Sequence, residues 1–80
     1  MPNLSTSRQN PALVSLGDAL RQLRKERGMS QDALALQADV DRSYVGQIER
    51  GDNNVAVLTL IKLASALGVK VSELMLIAGI

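Results

Sequence analysis

Apolar residues recur at helical spacing in five separate stretches, and no stretch needs a strand to explain it. Leu16, Leu20 and Leu23 form the first stripe. Leu34, Ala35 and Ala38 form the second, and Val45 and Ile48, three apart, form the third. A fourth holds Leu60, Leu63, Ala64 and Leu67, and a fifth runs through Leu74, Met75 and Ile77 toward Ile80. Local chemistry sets the boundaries. Helix 1 starts either at Asn10-Pro11, with asparagine as cap and proline in the first turn, or at Ser15, with Asp18 three residues on. Gly17 in its interior argues against the longer version, and Gly28 ends both. Ser30 caps a second helix over 31 to 37 or 38, with Asp32 at its positive end. Asp39-Val40-Asp41 interrupts the pattern: Val40 plugs the corner and Asp41 caps a third helix over 42 to 50, which Gly51 stops. Asp52-Asn53-Asn54 is a turn. A fourth helix is predicted from Val57 to Leu67, ended by Gly68, and a fifth from near Ser72. Met1 to Gln9 are polar and unpatterned. The expected organisation is a mobile tail over 1–10 and one all-α domain over 11–80.

Residues Gln31 to Arg50, QDALALQADVDRSYVGQIER, place two short helices on either side of a tight turn. Each is too weak alone, and Ala35 is small where the two must cross closely. That is the helix-turn-helix unit, whose second helix enters a DNA major groove. Three strings in order extend the match: Arg24 to Gln31, SYVGQIERG from Ser43 to Gly51, and LASALGV from Leu63 to Val69. From about Leu16 to about Leu74 the chain resembles the phage repressor and Cro-type DNA-binding domain, the Xre family. The resemblance implies a compact five-helix repressor-like domain with the motif at helices 2 and 3. It also implies a transcription regulator that binds a palindromic site on double-stranded DNA as a homodimer.

With Val45 and Ile48 turned inward, helix 3 turns Arg42, Ser43, Gly46, Gln47 and Arg50 outward. Arginine donates two bonds to guanine, glutamine pairs with adenine, and serine with either. Gly46 would let the helix approach closely. The resemblance implies that Gln31 grips a phosphate and buttresses the first recognition residue. Arg50 and Asn54 fall where the DNA backbone should run, although Asn54 equally fits plain turn chemistry. Tyr44 packs its ring over the corner and has a hydroxyl to offer to a phosphate. Glu49 would be repelled by DNA; the resemblance pairs it with Arg24 as a brace between helices 1 and 3. Arg21 and Lys25 equally suit a solvated helix face. Three departures from the family pattern stand out. Asp39 replaces a frequent glycine. Asp41 replaces a frequent serine or threonine. Asp52-Asn53-Asn54-Val55-Ala56 replaces a basic turn followed by Pro-Ser. They imply modest affinity or high salt sensitivity.

Composition narrows the function further. Eighty residues allow one small domain, and the chain has no cysteine and no histidine. Disulfides, thiolate metal sites and the commonest general base are therefore excluded. No metal, cofactor or enzymatic activity is expected, and Asp39 and Asp41 are explained by turn and cap. A net charge of +1 argues against a general nucleic-acid coat protein and leaves room for a site-specific binder with a few clustered cations. No run approaches a membrane span and the start lacks an apolar core, so a cytoplasmic protein with no membrane partner is expected. Two related roles remain open: the antitoxin of a toxin–antitoxin pair, and a controller protein of a restriction–modification operon, for which DRSYVGQIERG is the closest string. Finally, the C-terminal segment is apolar beyond what one small core needs. Its Val71, Met75, Ile77 and Ile80 are the expected dimer interface.

Overall fold

The computed structural model describes residues 9–80, and residues 1–8 of the mobile tail expected over 1–10 lie outside them. Five helices follow one another: α1 (Pro11–Glu26), α2 (Gln31–Ala38), α3 (Arg42–Arg50), α4 (Val57–Ala66) and α5 (Val71–Ala78). No strand occurs among the described residues. α1 takes the longer of its two starts. Asn10 Oδ1 accepts from the Ala12 amide at 2.9 Å, and Pro11 needs no acceptor for its missing N–H.

Gly17 does not interrupt α1, because its bare backbone is a contact surface. A Cβ there would run into the carbonyl oxygen of Ile48 and come within 2.6 Å of that of Glu49. The α1 backbone therefore lies directly on the last turn of α3. At the α2–α3 corner Asp39 adopts the left-handed conformation, φ 60 and ψ 49, where a glycine would be unstrained. Val40 follows half-buried against the core, and Asp41 Oδ1 accepts from the Ser43 amide at 3.2 Å.

Gln9 and Asn10 were expected in the tail but are bonded to the domain. The Gln9 amide donates to the Gly51 carbonyl at 2.7 Å, and its side-chain Nε2 donates to Arg50 O at 2.8 Å and to Asp52 Oδ1 at 2.6 Å. These bonds occupy acceptors at the C-terminal end of α3, which helices otherwise leave to water.

All five helices contribute to one aliphatic core. α1 packs on α3 and α5, while α2 packs on α3 and α4. Leu20, Leu34, Ile48, Leu63 and Leu74 are almost fully enclosed, each stabilising by roughly 1.5–3 kcal/mol. Leu74 anchors α5. Val71 and Ala78 lie beside it at i−3 and i+4, Met75 lies beside those two at four on from Val71 and three before Ala78, and all three pack half-buried against the same core. Of the four residues expected at a dimer interface, Val71 and Met75 therefore give part of their surface to the protomer's own core. Ile77 and Ile80 remain exposed, joined by Leu76 and by Val57, Leu58 and Ile61 on α4. Among the described residues no helix is long and apolar enough to cross a membrane.

Candidate nucleic-acid interface

Behind α3 lies a buried polar cluster. Glu49 is 2% exposed. Its carboxylate accepts from Arg24 Nε at 2.6 Å and Nη2 at 3.0 Å, a two-bond pairing, and from Gln31 Nε2 at 3.0 Å. Arg21 Nε lies 3.6 Å from the same carboxylate, and Arg21 Nη2 donates to the Glu49 carbonyl at 3.2 Å. Arg24 also donates from Nη1 to Met29 O at 2.8 Å, joining α1 to the start of α2. Burial alone would raise the carboxyl's pKa. The hydrogen bonds from Arg24 and Gln31 and the charges of Arg24 and Arg21 outweigh it, so the group sits below the ordinary carboxylate value. The cluster fixes α3 relative to both α1 and α2.

The outer side of α3 carries the sequence-predicted contact residues, and several are already engaged. Arg42 Nε pairs with Asp32 Oδ1 on α2 at 2.7 Å, with both side chains mostly exposed. The Ser43 hydroxyl donates to Asp41 Oδ1 at 3.2 Å. Arg50 Nε pairs with Asp52 Oδ2 at 3.0 Å, while Asp52 Oδ1 takes the bond from Gln9. Gln47 is half-buried, and its Oε1 accepts from Asn53 Nδ2 at 2.8 Å. Tyr44 packs half-buried against the core. Asn54 is exposed beyond the helix.

Gly46 departs from expectation. It is buried, not outward-facing. A Cβ there would lie 3.3 Å from Arg50 Nη1 and 3.7 Å from Gln31 Oε1, so its bare backbone is covered by these two side chains. Sequence reasoning missed Asp32, Asp52, Asn53 and Gln9 as partners of the contact residues. Asp32 and Asn53 were legible as a helix-start acid and a turn residue. The identity of their partners depends on how the helices cross.

The helix pair, its left-handed corner and the buried Arg24–Glu49 pairing lie within residues 20–74, which match a family model described as helix-turn-helix. The chain belongs to this helix-turn-helix family. One such relative, control protein C.MunI from a Mycoplasma species, is 41% identical over 66 residues, covering 81% of this chain and 89% of that protein. The crystal structure of the restriction-modification controller protein C.AhdI from Aeromonas hydrophila superposes with a TM-score of 0.76 at 48% identity, over 78% of this chain and 94% of that one. SinR, described as the master regulator for biofilm formation and solved in complex with DNA, superposes at 0.71 with 38% identity, over 74% and 95% of the two chains. The expected repressor-type fold, five helices with the motif at α2 and α3, therefore holds.

Proposed function

We propose that this helix-turn-helix chain is a sequence-specific, double-stranded-DNA-binding transcription regulator that acts as a homodimer on a palindromic site. α3 enters the major groove. The observation that carries this reading is the division of α3 into two faces. One is locked into the protein through Glu49, and the other presents Arg42, Ser43 and Gln47 side by side. A rigid platform bearing donors and acceptors is what reading base edges requires. The solved complex of the similar SinR with DNA supports the same reading. Gln31, Tyr44, Arg50 and Asn54 border that face and contact the DNA backbone. Because Arg42 and Arg50 already have acidic partners, the electrostatic contribution to binding is small and the affinity modest.

A restriction–modification controller is the narrower reading that the relatives support: C.MunI and C.AhdI, 41% and 48% identical to this chain, are proteins of that kind.

Selection of duplexes from a randomised library by the full chain tests the proposal. A two-fold symmetric consensus is the expected result. Gln47→Ala relaxes the choice at one base pair per half-site by about 1–3 kcal/mol. Arg50→Ala weakens all duplexes alike and flattens the salt slope. Recovery of unrelated duplexes with no consensus would refute it.

A further inference from the structure

Gln47 is the one carboxamide on the outer side of α3, and its two ends differ in availability. A glutamine side chain reads a base with an acceptor end, Oε1, and a donor end, Nε2. Here Oε1 accepts from Asn53 Nδ2 at 2.8 Å across the turn that follows the helix. The bond directs the oxygen end toward that turn. The nitrogen end is directed the other way, and among the described residues no bond is made by its two hydrogens.

We propose that Asn53 is a specificity-determining residue that acts through Gln47, making Gln47 a donor toward DNA. The inference rests on the DNA-binding reading above and deepens it by naming the class of base recognised. Pairing of glutamine with adenine in the major groove needs both ends of the amide, one accepting from N6 and the other donating to N7. A glutamine committed to donation instead matches an edge with acceptors and no donor. Guanine, with O6 and N7, and thymine, with O4, are the two bases of that kind. Cytosine presents only an amino group, and adenine an amino group beside N7, so at both the same nitrogen end meets a donor and is matched less well. Asn53 itself touches no base. It sets polarity from behind, much as Glu49 sets the position of Gln31.

The decisive substitution is Asn53→Asp. A carboxylate only accepts, so Gln47 must rotate its amide to donate to residue 53 and present Oε1 to the DNA. The preference at that position then reverses from guanine or thymine to adenine or cytosine on the same strand. The reversal is visible whichever strand is contacted, because each base pair holds one base of each class. The added negative charge weakens binding to all duplexes alike and cancels in the ratio between them. Asn53→Ala leaves the amide free to turn either way.

The experiment is duplex selection with the full chain, followed by fluorescence anisotropy on four duplexes that differ only at the position Gln47→Ala relaxes. Thermal melts verify that each variant is folded. The wild type is expected to favour one class over the other by roughly 5- to 150-fold, the range expected for one mismatched pair. Asn53→Asp is expected to invert that ratio, and Asn53→Ala to bring it close to one. A folded Asn53→Asp that keeps the wild-type preference, while Gln47→Ala abolishes it, overturns the role of Asn53 and leaves the DNA-binding reading intact. So does a wild type that does not separate the two classes at this position. Failure of the wild type to select any duplex removes the underlying reading and this inference with it.

Discussion

Glu49 has to be ionised to do its work. Its carboxylate is enclosed, and Arg24 and Gln31 donate to it. Arg24 is itself buried, so removing the acid leaves an unpaired guanidinium inside the protein. For a pair of this kind the loss is about 3–5 kcal/mol. Glu49→Ala is accordingly expected to lower the melting temperature by at least about 10 °C in a domain of this size. The direction of the pKa shift adds a pH dependence. Because the folded value is depressed, the contribution is fully present above the unfolded carboxylate pKa of about 4.3 and is lost as pH falls through the folded value. Wild type and Glu49→Gln should therefore differ most in stability at neutral pH and converge in acid. Denaturant melts of both between neutral pH and about pH 3 measure this; a constant gap would mean that the carboxylate charge contributes nothing. The Arg24–Glu49 partnership was legible through the family resemblance of the sequence. The bonds from Gln31 and Arg21 were not, because spacing along the chain does not say which donors from two other helices reach the same carboxylate.

At the scale of elements, two glycines inside helices have opposite meanings. Replacing a helical glycine by alanine gains about 1 kcal/mol of intrinsic propensity. At Gly17 that gain is opposed by backbone: the new methyl would strike the Ile48 carbonyl and lie 2.6 Å from Glu49 O. Neither atom can swing away, so α1 and α3 must separate, and overpacking of this kind costs about 1–3 kcal/mol. At Gly46 the nearest atoms are the ends of two side chains, Arg50 Nη1 at 3.3 Å and Gln31 Oε1 at 3.7 Å, which can move by a few tenths of an ångström. Gly17→Ala should destabilise the fold in urea melts, while Gly46→Ala should be neutral or slightly stabilising. Equal effects at the two positions would contradict the close approach of α1 to α3. The helices themselves were readable because cap residues and apolar spacing agreed. Asn10, Ser30 and Asp41 each cap as their chemistry suggests, and α3 spans Arg42–Arg50 as expected. The two glycines were misjudged for a shared reason: residue type gives the local penalty, whereas the benefit lies in a neighbour distant in sequence. Gln9 belongs with them. In the sequence it closes a polar tail, and in the fold it bonds the C-terminal end of α3.

On the whole molecule the informative feature is what the core leaves uncovered. Leu76 is 81% exposed, Leu58 74% and Val57 69%, with Ile61, Ile77 and Ile80 also open to solvent. These six lie on α4 and at the end of α5, two elements that pack together. Leu36 on α2 is exposed alone, as scattered apolar side chains often are, whereas a group on adjoining elements is what a contact surface needs. The excess was visible in the sequence, and Ile77 and Ile80 were legible in it, whereas Leu76 and the α4 residues were not. Val71 and Met75 turn inward with Leu74, and Leu76 turns out, because the core fixes the rotation of α5. A second copy of the chain is the occupant that suits the proposed function. A two-fold axis at this face doubles the few available cations and presents two α3 helices, matching half-sites about 34 Å apart. The full chain is therefore expected to sediment as a dimer at micromolar concentration. Leu76→Glu, or Ile77→Glu, should shift it to a monomer with its helix content unchanged, since neither side chain is enclosed within the protomer. Such a monomer should bind a single half-site and lose the steep dependence of operator binding on protein concentration. Met75→Ala supplies the contrast: part of that side chain packs on the core, so its loss should appear in the melting temperature. A wild type that remains monomeric at these concentrations, and binds both half-sites independently, would rule out this face as the dimer contact.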